Sequence, residues 1–177
     1  MEEVPLRHLH PGFIAFIDDF SAEVSKPQWT WSSVAFSFGL NILLVKMFGK
    51  PRVGEDIYDR RQAHPEYLAQ HCAPLGIDPM AETPLLVNSF FVLTNRFFHF
   101  DAKKNRKLLS DQMSRGRVDL REIDTIATES GAITGNILGL TINGVELCAI
   151  PFNGPGDAKV MATLFARMND NMKKLLT

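Results

Sequence analysis

The chain has 177 residues, 45% hydrophobic and 22% charged, with 19 basic side chains against 20 acidic and a formal net charge of −1. These values exclude wholesale disorder, a collagen-like or coiled-coil chain, and a global field that would draw the protein to nucleic acid. Two cysteines, Cys72 and Cys148, are too few for a disulfide framework, and a domain this long needs no such staple, so a reducing, cytoplasmic setting is expected.

The acidic opening Met1-Glu2-Glu3-Val4-Pro5 lacks the basic start and short apolar core of a secretory signal, and none is expected. His10-Pro11-Gly12 opens a helix predicted from Phe13 to about Lys26. Phe13, Phe16, Ile17, Phe20 and Val24 recur at helical spacing, with Asp18, Asp19 and Glu23 on the wet side. From Pro27 to Val45 there is no charge at all. Tryptophans at one end of this run and Lys46, Lys50 and Arg52 at the other imitate a membrane anchor. Gln28, Thr30, Ser32, Ser33, Ser37 and Asn41 dilute it, and its partial alternation suits strands as well as a helix. The reading is a buried or partner-facing element and not a span. Residues 52–82 are polar and broken by Pro65, Pro74 and Pro79, leaving room for short helices such as one at Glu66–Cys72.

From Pro84 the texture becomes that of strands. Leu85-Leu86-Val87, Phe90–Leu93 and Arg96–Phe100 are predicted strands, with a turn at Thr94-Asn95 and a second, polar turn at Asp101–Lys107. Leu108-Leu109, Val118–Leu120 and Ile123–Thr128 follow as short strands. Asn143-Gly144 between two apolar runs predicts a two-residue type I′ hairpin, because both turn positions need positive φ. A regular ladder then pairs Ile142 with Val145 and Leu140 with Leu147. It puts Leu138, Leu140, Ile142, Val145 and Leu147 on the core face and Thr141, Glu146 and Cys148 opposite. Asp157 is the expected N-cap of a last helix with one apolar stripe: Met161, Leu164, Phe165, Met168, Met172, Leu175 and Leu176.

Strands followed by one amphipathic helix define an α+β arrangement in which the helix covers a sheet or plugs a small barrel. Phe91-Val92-Leu93-Thr94-Asn95-Arg96-Phe97-Phe98-His99-Phe100 resembles the first hairpin of bacterial pleckstrin-homology-like (PH-like, GRAM-like) domains. Val118–Ile123, Ile126–Gly131, the Asn143-Gly144 hairpin and the helix from Asp157 continue the likeness in the same order. Phe97 stands where a second basic residue is common, and Ser110–Gly116 reads as an insertion. The resemblance covers about residues 84–177. It implies a partly open antiparallel barrel of seven strands closed by the C-terminal helix, on a scaffold that binds proteins or lipids and does not catalyse. Residues 1–83 form a mainly helical N-terminal extension outside it.

Catalytic motifs are absent from the sequence: no glycine-rich phosphate loop, no nucleophile elbow, no His-Glu-x-x-His. His64, His71 and Cys72 lack the paired spacing of a zinc site, so no metal and no cofactor is expected. His99 alternates with Phe98 and Phe100 and reads as a sheet-surface residue. Glu55, Asp56 and Asp59 with Arg60-Arg61 read as a surface charge mixture. Charge is concentrated in residues 95–121, where Arg96, Lys103, Lys104, Arg106, Lys107, Arg115, Arg117 and Arg121 face three carboxylates.

The functional expectation is a non-catalytic binding or assembly module that recognises a protein partner or associates with itself. Its apolar contact residues are Trp29, Trp31, Phe36, Phe38, Leu43, Leu44 and Phe48, too many large side chains to stand exposed together. The alternative is a peripheral membrane protein that adds an anionic-lipid contact through Lys103, Lys104, Arg106 and Lys107. An enzyme of unrecognised type is the third reading, with no constellation behind it.

Overall fold

The computed structural model describes residues 7–25, 57–61, 63–103, 113–131, 135–152 and 155–176. The chain is α+β. Helix α1, Phe13–Val24, buries Phe13, Ile17 and Phe20 at the spacing read from the sequence. Strand β1, Tyr58–Asp59, and helix α2, Pro65–Cys72, follow, and α2 runs into a 3₁₀ turn at Ala73–Leu75. Seven further strands come next: β2 Pro84–Asn88, β3 Phe91–Thr94, β4 Phe97–Lys103, β5 Met113–Asp119, β6 Ile126–Ser130, β7 Ile137–Ile142 and β8 Val145–Pro151. Helix α3, Pro155–Leu175, completes the order.

All pairings are antiparallel. Strands β1 to β5 form one sheet in chain order, and β6, β7 and β8 form another. A single pair, Lys103 with Ala149, links them. The described strands do not close into a barrel. Strand β4 serves both sheets because it outruns β3. Phe98 to Phe100 pair with β3, and the chain continues past it to reach β8. Asp101, Ala102 and Lys103, expected in a turn, therefore belong to the strand. Met113–Gly116, expected within an insertion, pair with Phe100–Lys103 across β4 and β5.

One core fills the space between the sheets and α3. Phe98, 1% exposed, packs against Phe91, Phe100 and, edge-on, the Phe165 ring of α3. The α3 stripe is buried as expected through Met161, Leu164, Phe165, Met168, Met172 and Leu175. Asp157 is a buried residue of the first turn and not the N-cap, because the helix begins two residues earlier at Pro155. Helix α1 lies on α3. Arg167 grips Glu23 with two hydrogen bonds of 2.6 and 2.8 Å, and the backbone N–H of His10 donates to the Leu175 carbonyl at 2.7 Å.

The Asn143-Gly144 turn has φ values of 51° and 76°, as a type I′ turn requires. Asn143 also ties the turn to the preceding segment: Oδ1 accepts from the N–H groups of Asp124 and Thr125, and Nδ2 donates to the Glu122 carbonyl. Beyond Thr141 the ladder slips, so Leu140 pairs with Cys148 and not with Leu147. A bulge inserts one residue and reverses the faces. Cys148 and Ile150 consequently enter the core and Leu147 is left half-buried, while Val145 keeps its expected pairing with Ile142 but, beside the turn, is 60% exposed. A Cβ at Gly144 would meet nothing within 4 Å, so Gly144→Val costs backbone strain alone. The expected loss is about 1 kcal/mol, read as a fall of about 2–4 °C in Tm.

Candidate functional site

The five-stranded sheet has two faces of different character. Register places Leu93 and Phe98 on the core face and Val87, Val92, His99 and Arg117 on the other. Part of this second face is covered by α2, its 3₁₀ turn and the chain just beyond it: Cys72 and Ile77 pack on Val87 and Val92, with Tyr67, Leu68 and Leu75 around them. That cover explains why His99 is only 3% exposed and not a surface residue.

Burying an imidazole requires partners for its polar atoms. His99 Nε2 lies 2.8 Å from Glu82 Oε2, in the loop entering β2, and Glu82 is itself 10% exposed. The same carboxylate oxygen accepts from Thr94 Oγ1 at 2.9 Å. Thr94 Oγ1 in turn accepts the N–H groups of Phe97 at 2.8 Å and Arg96 at 3.1 Å. Asn95 exchanges two further bonds with Thr83. The Thr94-Asn95-Arg96 turn is thus clasped to the Glu82 loop through one buried carboxylate. Thr94→Val removes the acceptor of two backbone donors together with the donor to Glu82. The expected cost is about 1–3 kcal/mol, measured by urea denaturation against Thr94→Ser, which retains most of it.

Toward β5 the second face opens to solvent. The guanidinium carbons of Arg96 and Arg117 stand 4.7 and 4.5 Å from the centroid of the buried Phe97 ring. Asp119 is bonded by Arg121 through its backbone N–H at 3.0 Å, Nε at 2.9 Å and Nη2 at 2.5 Å, and Arg96 Nε is 3.9 Å away. The side-chain hydrogen bond from Arg121 is the main reason this carboxyl is held below the ordinary 3.8. Arg115 pairs with Asp101 across the strands. Arg117 has no carboxylate partner among the described residues. The result is a guanidinium row at the sheet margin, suited to carboxylate or phosphate oxygens.

Most of the residues singled out from sequence are not brought together here. Trp29, Trp31, Phe36, Phe38, Leu43, Leu44, Phe48, Lys104, Arg106 and Lys107 lie outside the described residues, as do Leu108-Leu109. Lys103 closes β4 through its backbone, opposite Met113 and Ala149. His64 caps α2 by accepting from the Glu66 N–H at 3.4 Å, and His71 bonds the Tyr67 carbonyl and stacks on that ring. Cys72, the last residue of α2, is buried against the sheet; burial and then the Glu82 charge push its thiol up. Burial alone pushes Cys148 up to about 12. Neither thiol is poised as a nucleophile. Among the described residues no three His, Cys, Asp or Glu side chains gather as a metal site, and no helix is long and apolar enough to cross a membrane. The Thr94–Glu82–His99 clasp escaped sequence reading. Its one local signal is Thr94 two residues before the N–H of Arg96, the spacing of a hydroxyl-capped turn.

No family model matches the chain, and no curated protein or solved structure is found to match it.

Proposed function

We propose that the chain is a binding or assembly module on a PH-like scaffold, in which residues 84–177 form the domain and residues 1–83 an extension that carries an apolar contact surface. The observation that carries this reading is the order of β2 to β8 and α3. Four strands and then three meet through the over-long β4, with one amphipathic helix packed on the core they share. That order agrees with the resemblance read in Phe91–Phe100 and in the segments after it. The buried polar side chains Thr94 and His99 support a scaffold role, since each fastens its strand to the Glu82 loop.

The contact surface is proposed from composition: Trp29, Trp31, Phe36, Phe38, Leu43, Leu44 and Phe48 need cover, and α1 and α3 already occupy the described core. Part of this stretch therefore packs against another chain. Sedimentation equilibrium of the full chain tests it. Reversible association at micromolar concentration, weakened by Trp31→Ser and Phe38→Ser, is expected. A strict monomer whose stability is unchanged by both substitutions contradicts it.

A further inference from the structure

Resting on the binding-module reading, we propose that the outer edge of β5 receives an extended acidic segment of a protein partner, which adds as a further strand and sets its carboxylates beside Arg115 and Arg117. Strand β5 pairs with β4 alone among the described strands. Its seven residues stay in unbroken register with Phe97–Lys103, so every second N–H and C=O faces outward. An edge of this length is ordinarily blunted by a proline, a bulge or a covering loop. Met113–Asp119 has no proline and no bulge, and no described backbone group bonds its outer side. Gly116, the residue that could suggest a weakened strand, has a core-side reason: a Cβ there would sit 3.0 Å from the tip of the Phe100 ring, which would have to shift by a few tenths of an ångström.

Among the described residues charge is the guard that remains, and it is selective. Arg115 and Arg117 stand on the same face two residues apart, about 6.6–6.8 Å along the strand. A second β5 laid alongside would set arginine against arginine, whereas a strand with carboxylates at alternate positions meets both. Arg96, Arg115, Arg117 and Arg121 outnumber Asp101 and Asp119, and Arg117 rests on Phe97 with no carboxylate of its own among the described residues. A polyanion such as lipid or nucleic acid would satisfy the guanidinium groups but not the alternating donors and acceptors of the edge. A peptide satisfies both.

The test is titration of the full chain with an acetylated, amidated hexapeptide alternating Glu and Thr. Saturable binding that weakens with added salt is expected. Arg117→Ser is expected to weaken it about tenfold or more. The same peptide N-methylated at alternate residues keeps every charge and leaves the protein untouched, and it should not bind. Equal binding of the N-methylated peptide, binding unaffected by Arg117→Ser, or binding only to phosphatidylserine vesicles or a single-stranded oligonucleotide overturns the proposal. Chain association that persists while the peptide fails to bind also overturns it, and leaves the binding-module reading standing.

Discussion

Phe98→Ala is expected to destabilise the fold by about 3–5 kcal/mol, the largest effect of any single truncation considered for this chain. Phe98 sits where the elements converge: ring centroids of Phe91 and Phe165 lie 5.6 Å away and that of Phe100 at 6.1 Å. Removing the ring leaves a cavity between the β3–β4 pair and α3 that three other aromatic side chains cannot fill without leaving their rotamers. Chemical denaturation reads the loss. Val145→Ala is the control. With Val145 60% exposed beside the turn, its change should stay within about 0.5 kcal/mol. A loss for Phe98→Ala below 1 kcal/mol, or a larger loss for Val145→Ala, contradicts the packing described.

The second large effect is expected at Asp59. Its side chain is 1% exposed, and Arg61 holds it through Nε and Nη2 at 2.8 Å each and through its backbone N–H at 2.8 Å. The Ser21 hydroxyl leans on the same carboxylate without reaching good hydrogen-bond geometry. Arg61 also donates to the Asp18 carbonyl of α1, and Arg60 pairs with the Asp18 carboxylate at 2.8 Å, so the two arginines fasten β1 to that helix. Burial pushes the Asp59 carboxyl up, but the Arg61 bonds outweigh it and hold the carboxyl below its ordinary 3.8.

Arg61→Met strands a buried carboxylate with little but a backbone donor. The expected cost at neutral pH is up to about 3 kcal/mol, short of the full buried-pair penalty because Arg61 is 46% exposed to screening water. The sign with pH follows from the lowered folded-state value. The stabilisation is fully present above the unfolded carboxylate value near 3.8 and is lost as pH falls through the lower folded one. The parent should therefore lose stability below about pH 4 faster than Arg61→Met does, and the gap between them should narrow. A gap that stays constant with pH would show that Arg61 acts through packing of its stem and not through Asp59.

What could be read from the sequence was what depends on neighbours in the chain. The α3 stripe and the Phe13–Phe20 face follow from helical spacing, and Asn143-Gly144 forces its own turn. Most of the errors come from partners distant in sequence; Asp59, covered by Arg61 two residues on, and Asp157, which the early helix start at Pro155 moves into the first turn, are local ones. Cys148 enters the core because of a bulge that two-residue alternation cannot reveal. Alternation put His99 on the correct face, opposite Phe98, but said nothing of the helix that covers that face. Met113–Gly116 looks like loop because an edge strand backed by another strand needs few apolar residues, and Asp59 looks like surface until Arg61 folds back over it. The candidate interface was legible in part. The surplus of arginine between residues 95 and 121 was visible, but its alignment along the outer edge of β5 emerges only from the pairing of β4 with β5.

Trp29 and Trp31 are the only tryptophans in the chain, so intrinsic tryptophan emission reports on the proposed apolar contact surface alone. Emission of the full chain should be blue-shifted at micromolar concentration and move to the red on dilution, in step with dissociation seen by sedimentation. Blue-shifted emission that stays constant on dilution of a monomeric chain would place both rings inside one molecule and contradict the assembly role.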